Sequence, residues 1–312
     1  MEILVVMCVG VIVGATIFPD ALKKVNSTCT LAATGLLIFS MGAMLGGREG
    51  FLDELATLGL ASLAFAVLPI VFSTAAVYAL SCAFMSDITK RHADDARHAA
   101  ARESVDADGG ETTMIAIAVG ALLLGVLAGL VPADLAPVDF LVAHSDWVLI
   151  ALMFFVGISV GGSKGLIGKV KQYHVRVLII PFGIVVGSVA GGVVAAALCG
   201  FSFPTGAAIA SGLGWYSLSG VMLTQIAGAE VGSVTFLANL LRELISFFTI
   251  PWIARHLNYP TCIAPAGATS EDTTLPMMIR CTNGETVVLS VVNGVICSAL
   301  VPVLIELFHA LM

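Results

Sequence analysis

The chain has 312 residues; 58% are hydrophobic and only 11% are charged, and the mean hydropathy is +1.02. An ordinary soluble domain contains about 25% charged residues, and over half of any folded surface is already apolar. A water-soluble enzyme, a nucleic-acid-binding protein or a disordered chain of this composition would expose too much apolar surface. The composition therefore predicts an all-α polytopic membrane protein. The formal net charge of −7 matters less than where the charges lie.

Eight apolar runs approach the roughly 20 residues that a helix needs to cross the hydrocarbon core. In chain order they are residues 2–18, 29–45, 55–85, 114–131, 147–160, 175–200, 231–254 and 286–310. The first run lacks the basic start and the small-residue cleavage site of a signal peptide, so we interpret it as a retained span. Two further stretches, residues 204–228 and 260–283, are apolar but rich in Gly, Pro, Ser and Thr. That composition predicts re-entrant or discontinuous helices.

Basic residues are enriched in the cytoplasmic loops of membrane proteins. Ten of them lie in alternate loops, whereas the opposite loops carry Arg48 alone. The pattern predicts a cytoplasmic linker over residues 86–113, an outside N-terminus and, if each discontinuous stretch dips in and returns, an outside C-terminus. The ten residues are Lys23, Lys24, Lys90, Arg91, Arg97, Arg102, Lys164, Lys169, Lys171 and Arg176.

Glycine spacing indicates an internal repeat at a shift of 115 residues. Six of the seven glycines between positions 10 and 50 have a glycine partner at that shift, although only 32 of 312 residues are Gly. The shift predicts two three-span repeats, residues 1–85 and 114–200, which must face opposite ways in the membrane. The pairs are Gly10–Gly125, Gly14–Gly129, Gly42–Gly157, Gly46–Gly161, Gly47–Gly162 and Gly50–Gly165.

A second repeat, at a shift of 56, relates residues 204–254 to residues 260–310. Each copy is one discontinuous stretch followed by one span, so this pair is also predicted to be inverted. Inverted repeats with Gly- and Pro-interrupted segments are typical of secondary transporters, where unwound backbone near the midplane binds substrate and ions. Surface loops are the alternative, but the apolar flanks of both stretches argue against them. Matching positions include Pro204–Pro260, Thr205–Thr261, Gly228–Gly284 and Val231–Val287.

The first discontinuous stretch concentrates glycines, hydroxyls and aromatic rings between positions 210 and 220. Glycines permit sharp turns with positive φ, hydroxyls bind polar groups, and aromatic rings cover an aliphatic stem or contact a cation. Helix packing through small residues is the alternative. The candidate binding residues are Ser211, Gly214, Trp215, Tyr216, Ser217 and Ser219.

The second discontinuous stretch places two adjacent carboxylates, Glu271 and Asp272, among hydroxyl-bearing residues and between two prolines. Such a tip can bind a cation through side chains and freed backbone carbonyls. A solvated turn is the alternative. The accompanying candidates are Thr269, Ser270 and Thr273.

Other candidate residues lie in or beside the spans. The span over residues 231–254 contains Asn239, Arg242 and Glu243, and a charged group inside a span normally faces a partner or a water-filled cavity. Arg242 and Glu243 are adjacent, so they point about 100° apart on a helix and need not pair. Glu243 is the best candidate for a substrate counter-ion or proton carrier, with a structural ion pair as the alternative. Glu49 and Asp53, predicted on the outer side, are candidates for an outer vestibule.

Neither the cysteines nor the histidines have the spacing of a metal site. Seven cysteines are scattered through apolar runs without a C-x-x-C pair, and we interpret them as small buried hydrophobic residues. We therefore predict no disulfide framework, no metal and no cofactor. The sequence also lacks a phosphate-binding P-loop, which argues against ATP-driven transport within the chain.

Three sequence blocks resemble the bacterial lysine exporter family LysO in order and spacing. They are SGLGWYSLSG at 211–220, LANLLREL at 237–244 and GATSEDTTLP at 267–276. The resemblance implies an inner-membrane exporter of L-lysine and its toxic analogue thialysine, working by cation-coupled antiport with essential intramembrane acidic residues. It assigns Glu243 to the family's Arg-Glu position, and either Asp53 or Glu49 to a second acidic position.

Residues and resemblance together predict a secondary exporter rather than an enzyme. Its expected partners are L-lysine, protons or Na⁺, and the lipid bilayer, but no nucleic acid; a homo-oligomer is left open. A sodium/proton carrier or a small organic-anion carrier of similar inverted-repeat architecture is the alternative function. A polytopic membrane enzyme or scaffold is disfavoured, because the sequence lacks a nucleophile–base signature.

Overall fold

The computed structural model describes residues 2–47, 51–85, 108–131, 136–162 and 177–312, and within these ranges the regular elements are all helical. The α-helices are α1 Glu2–Thr16, α2 Lys23–Gly46, α3 Phe51–Phe84, α4 Asp108–Leu130, α5 Ala136–Ala143, α6 Ser145–Gly161, α7 Ile179–Cys199, α8 Phe203–Ala210, α9 Tyr216–Ala227, α10 Ala229–His256, α11 Ile263–Ala266, α12 Leu275–Cys281 and α13 Gly284–His309. Short 3-10 turns cover Asp20–Leu22, Pro260–Cys262 and Gly267–Glu271.

The fold is that of an all-α polytopic membrane protein, as predicted. Helices α2, α3, α7, α10 and α13 are each long and apolar enough to cross a bilayer, and α5 with α6 makes a sixth span if that bent pair counts as one. Helices α1 and α4 are apolar but shorter over their described parts. Large apolar side chains such as Leu60 and Phe182 are mostly exposed on these helices, which suits a lipid environment. The eight predicted spans each contain a helix, while the count of eight crossings stays a prediction.

Some helix boundaries differ from those expected. Helix α5 was not predicted; it meets α6 at an angle of 59°. The bend lies at His144, whose ring Nδ1 is 2.8 Å from the Phe140 carbonyl oxygen. Helix α4 begins at Asp108, six residues before the predicted span, and residues 86–107 of the predicted linker lie outside the described residues. Residues 132–135 and 163–176 also lie outside them.

The described helices group into two compact units. Unit 1 comprises Met1–Phe51 and Asp106–Gln172, and unit 2 comprises Leu52–Val105 and Tyr173–Met312. The grouping assigns α3 and α7, the third span of each predicted 115-residue repeat, to unit 2 rather than to unit 1. A predicted sequence repeat and a compact unit therefore have different boundaries in this chain.

Glycines allow the helices of unit 1 to pack closely in two pairs. Helix α1 packs against α6, where a Cβ on Gly10 would lie 3.1 Å from the Gly157 Cα; helix α2 packs against α4, where a Cβ on Gly42 would lie 3.2 Å from the Gly125 Cα. The 115-residue shift relates the two contacts, because Gly125 lies 115 positions after Gly10 and Gly42 lies 115 positions before Gly157. The same unit contains a cavity of about 260 Å³ beside Asn26 on α2.

Unit 2 is built on the paired helices α3 and α7, with the two discontinuous segments packed beside them. A Cβ on Gly187 of α7 would lie 2.6 Å from the Ser73 backbone nitrogen of α3. Helix α7 ends at Cys199, and Gly200, which caps it, has a left-handed φ of 79°. Ser202 then caps α8 by accepting a hydrogen bond from the Thr205 backbone N–H at 3.2 Å. These local signals end one span and start the first discontinuous segment.

Candidate functional site at two helix breaks in contact

The first discontinuous segment is a broken helix. Helix α8 ends at Ala210 and α9 begins at Tyr216; between them Leu213 and Gly214 have positive φ values of 48° and 98°. A glycine adopts this conformation without strain, so Gly214 suits the turn. We refer to residues 211–215 as the first break.

Asn239 of α10 replaces the helical hydrogen bonds that the first break loses. Its side-chain Oδ1 accepts a hydrogen bond from the Gly214 N–H at 2.8 Å, and its Nδ2 donates to the Ile209 carbonyl at 3.2 Å. A Cβ on Gly212 would lie 2.5 Å from that Nδ2, so glycine at 212 makes room for the amide. Asn239 was predicted as a binding residue, and the structure shows it bonded to the backbone of the break.

The second discontinuous segment is also broken. Helix α11 ends at Ala266, Gly267 has a φ of 61°, and α12 begins at Leu275. Asn293 of α13 donates from Nδ2 to the Gly267 carbonyl at 2.9 Å and to the Ser270 hydroxyl at 3.0 Å. An asparagine on the following span therefore supports each break. We refer to residues 267–274 as the second break.

The two breaks touch through their backbones. The Ala268 N–H donates to the Leu213 carbonyl at 2.9 Å, and a Cβ on Gly214 would lie 3.0 Å from the Ala266 carbonyl oxygen. Non-helical backbone at membrane depth needs surrounding protein or a water-filled cavity. Here the two breaks supply part of that protein for each other, and Leu213, Ala266 and Ala268 are all buried.

Glu243 of α10 lies against the second break. Its side chain is 1% exposed, and its Oε1 accepts a hydrogen bond from the Thr273 hydroxyl. Its Oε2 is buried and accepts no hydrogen bond from the described residues. The predicted intramembrane carboxylate therefore has one oxygen that accepts a hydrogen bond and one that accepts none from the described residues.

Asp272 shares the Thr273 hydroxyl with Glu243. The Asp272 Oδ1 lies 2.6 Å from the Thr273 backbone nitrogen and 3.3 Å from its Oγ1. A threonine hydroxyl has a single proton, so it donates to only one of the two carboxylates at a time. Glu243, Thr273 and Asp272 form one cluster, which we call the carboxylate cluster.

Glu271 faces α13 instead of the carboxylate cluster's threonine. Its Oε1 accepts a hydrogen bond from the Ser298 hydroxyl at 3.1 Å, and its Oε2 is buried without a partner among the described residues. A Cβ on Gly294 would lie 2.7 Å from the Glu271 Cγ, so the glycine provides the space for this side chain. Two buried carboxylate oxygens without a hydrogen-bond partner among the described residues thus lie at the second break, one from Glu243 of α10 and one from Glu271.

Arg242 does not pair with Glu243. Its Nε donates to the Pro265 carbonyl at 3.0 Å, its Nη2 to the Ala264 carbonyl at 3.2 Å and its Nη1 to the Ser188 hydroxyl at 2.9 Å. Within the described part of the chain, no carboxylate lies within the 4.0 Å of an ion pair with Arg242. The structural ion pair considered from the sequence is therefore absent there.

Most of the candidate hydroxyls in and around the first break bond to nearby backbone. Ser211 donates to the Ala207 carbonyl and Ser219 to the Trp215 carbonyl, each at 2.7 Å. Ser217 is exposed, and the Tyr216 ring meets the Phe236 ring edge-on with centroids 5.4 Å apart. Trp215 is 37% exposed. The buried serines of this segment are therefore bonded to the backbone of their own helices, and their role in binding stays a prediction.

The remaining candidates divide between the second break and the start of α3. Thr269 donates from Oγ1 to the Ala266 carbonyl at 3.0 Å, and Ser270 donates to the Ser290 carbonyl at 2.9 Å. Glu49 lies outside the described residues, and Asp53 falls in the first turn of α3. In the part of the chain that is described, no group of three or more His, Cys, Asp or Glu side chains could hold a metal ion.

Sequence reasoning missed three polar residues that shape the site: Ser188, Asn293 and Ser298. Asn293 carried a usable signal, because a lone asparagine inside an apolar span repeats the situation of Asn239. Ser298 follows Gly294 by four residues, so both lie on one face of α13. Ser188 had no comparable signal, since serines are common in apolar helices.

The profile of the lysine exporter LysO family matches residues 119–309, which is more than half of the chain. The chain belongs to the lysine exporter LysO family.

Two relatives agree with this assignment. The chain is similar to the lysine exporter LysO of Escherichia coli, with 38% identity over 191 residues, or 61% of this chain and 62% of that protein. It is also similar to a Haemophilus influenzae protein that carries a lysine exporter name, with 33% identity over 192 residues, or 62% of this chain and 96% of that protein. The chain thus spans less than two thirds of the length of the Escherichia coli relative. No solved structure matches the chain.

The segment matched to the LysO family contains both breaks, Asn239, Arg242 and the whole carboxylate cluster. It begins within α4, so Glu49 and Asp53 precede it. The assignment of either residue to a second acidic position of the LysO family therefore rests on the sequence resemblance alone.

Proposed function

We propose that the chain is a secondary active exporter of L-lysine and thialysine, which it exchanges for protons across the bacterial inner membrane. One observation carries the proposal: Glu243 has a buried carboxylate oxygen without a partner among the described residues, beside a second carboxylate. An uncompensated charge is costly away from water. The site is therefore suited to hold either a proton or a cationic group at that oxygen.

A lysine molecule matches the chemistry of the two breaks. It has two ammonium groups, an aliphatic stem and a carboxylate. The ammonium groups would meet Glu243 and Asp272, with Glu271 as a further acceptor. Helix α9 begins at the first break, and the partial positive charge of a helix N-terminus favours an anionic group. The substrate carboxylate would lie on that side.

Exchange follows from competition for one oxygen. When Glu243 binds a proton it no longer attracts an ammonium group, and when it binds the ammonium group it has released the proton. The Thr273 hydroxyl would follow the change, because it donates to the carboxylate that remains ionised. Transport in one direction would then require proton movement in the other.

The internal repeats support a transporter architecture. We propose that residues 1–85 and 114–200 form one inverted pair, and that residues 204–254 and 260–310 form a second. The first pair is supported by the contacts Gly10–Gly157 and Gly42–Gly125, because replacing each glycine by its partner at the 115-residue shift converts one contact into the other. The second is supported by Asn239 and Asn293, which bond to the break that precedes each of them. The basic loops support termini on the outer side.

The names of the Escherichia coli and Haemophilus influenzae relatives support lysine as the substrate. In proteoliposomes that contain the purified chain, a lysine gradient should drive protons in the opposite direction. The signal of an entrapped pH dye should change with lysine or thialysine and should collapse with a protonophore. Movement driven by a sodium gradient, or by an organic anion without lysine, would replace this proposal with the alternative carriers.

A further inference from the structure

Helix α11 ends at Ala266, and the 3-10 turn Gly267–Glu271 follows it at once. The carbonyl groups at the end of a helix carry a partial negative charge. Here the Ala264 and Pro265 carbonyls accept hydrogen bonds from Arg242 at 3.2 and 3.0 Å, and the Ala266 carbonyl accepts one from Thr269 at 3.0 Å. Side chains of unit 2 therefore supply the donors that the broken helix lacks.

Arg242 is held in this position on several sides. Its side chain is 1% exposed, and Ser188 of α7 accepts a hydrogen bond from Nη1 at 2.9 Å. A Cβ on Gly267 would lie 3.3 Å from Nη2. With a positive φ, Gly267 lets the second break turn closely around the guanidinium. The helix end, a serine and the turn thus enclose a cation.

A guanidinium without a carboxylate partner needs compensation, because a charge inside a span is costly. Within the described residues that compensation comes from two backbone carbonyls and one hydroxyl. Unwound carbonyls and half-helix C-terminal ends are also the groups that coordinate sodium ions in secondary transporters. In this chain carbonyl groups of that kind, those of Ala264 and Pro265, already bind a covalently attached cation, the Arg242 guanidinium.

We propose that Arg242 is a resident cation, which takes the place of a coupling sodium ion at the C-terminal end of α11 and makes the exchanger independent of sodium. The inference deepens the proposed function, because it concerns the ion that is exchanged at the same pair of breaks. It also explains why neighbouring charges on α10 have different roles. Arg242 is committed to the carbonyls, so the Glu243 carboxylate stays free for substrate or proton.

The test uses chemical rescue of Arg242→Ala in the full-length protein. Removing the guanidinium leaves a space lined by the Ala264 and Pro265 carbonyls, so added guanidinium ion should bind there. We expect low-millimolar guanidinium chloride to raise the thermal unfolding midpoint of Arg242→Ala by several degrees and to leave the wild type unchanged. Urea, which has the same shape but no charge, should not do so. Arg280→Ala, at an exposed arginine of α12, is the control.

This readout does not depend on transport, so it separates failure of this inference from failure of lysine export. Equal responses of Arg242→Ala and Arg280→Ala to guanidinium would overturn the resident-cation role. If Arg242→Ala does not fold, binding of radioactive sodium to the wild-type protein decides. No saturable binding is expected, and saturable sodium binding that stabilises the wild type would overturn the inference. In lysine-loaded proteoliposomes, replacing sodium with choline should leave wild-type exchange unchanged, and a several-fold loss would contradict it.

Discussion

The two helix breaks of unit 2 have the same architecture but different chemistry. Each is flanked by short helices, contains a glycine with positive φ and is bonded to an asparagine on the span that follows. The buried hydroxyls of Ser211 in the first break and Ser219 in α9 donate to nearby backbone carbonyls. The second break instead contains Glu271 and Asp272 and contacts Glu243. The broken helices therefore provide the scaffold, and the carboxylates distinguish the second break from the first.

The largest effect in this comparison is expected from Asp272→Asn in the second break. A hydrogen bond to a charged group contributes about 1.5–3 kcal/mol, so the affinity for lysine should fall about 10- to 100-fold. Equilibrium binding of radiolabelled lysine to the purified protein measures the change. An unchanged affinity would show that Asp272 does not bind lysine, so the charge of the second break would not explain substrate binding.

Replacing either asparagine should affect the two breaks equally. Asn239→Ala and Asn293→Ala each leave buried backbone groups without a partner, which costs about 1–3 kcal/mol. The thermal unfolding midpoint should therefore fall for both variants, and Gln225→Ala, at an exposed position of α9, should leave it unchanged. A loss of stability in only one of them would show that the breaks differ in architecture as well as in charge.

Thr273 allows a finer test within the second break. Thr273→Val keeps the shape but removes the hydroxyl that Glu243 and Asp272 share, so lysine affinity should fall by about fivefold, or roughly 1 kcal/mol. Thr273→Ser keeps the hydroxyl and should stay close to the wild type. Similar losses in the two variants would assign the effect to packing.

The smallest effect is expected from Ser217→Ala, in the first turn of α9 directly after the first break. The side chain is exposed, and a substitution at such a position usually changes stability by less than about 0.5 kcal/mol. Lysine affinity and the unfolding midpoint should both match the wild type. A loss of lysine affinity comparable to that of Asp272→Asn would instead assign substrate binding to the first break and the start of α9.

The sequence predicted the all-α membrane class, because sparse charges and long apolar runs leave little choice of fold class. It also located both breaks, because Gly, Pro, Ser and Thr interrupt apolar runs there. Glu243 and Asp272 were found because carboxylates are rare in such segments. Composition did not reveal that the hydroxyls of Ser211 and Ser219 are bonded to their own helices, and their assignment as binding residues stays a prediction.

The contacts that join distant segments could not be predicted. The Ala268–Leu213 hydrogen bond connects two breaks that are far apart in the chain, and Arg242 reaches α11 across a turn. Helical geometry predicted only that Arg242 and Glu243 point in different directions. What each one meets depends on tertiary packing, and so does the bend between α5 and α6.

Lysine-driven proton movement in proteoliposomes with Glu243→Gln tests the central claim most directly. Glutamine keeps the size and the hydrogen bond from Thr273 but removes the ionisable carboxylate. Glu230→Gln, at an exposed position in the first turn of the same helix, is the matched control. The account predicts no proton movement with Glu243→Gln and normal movement with Glu230→Gln. Proton movement in Glu243→Gln at the rate of the wild type would contradict it.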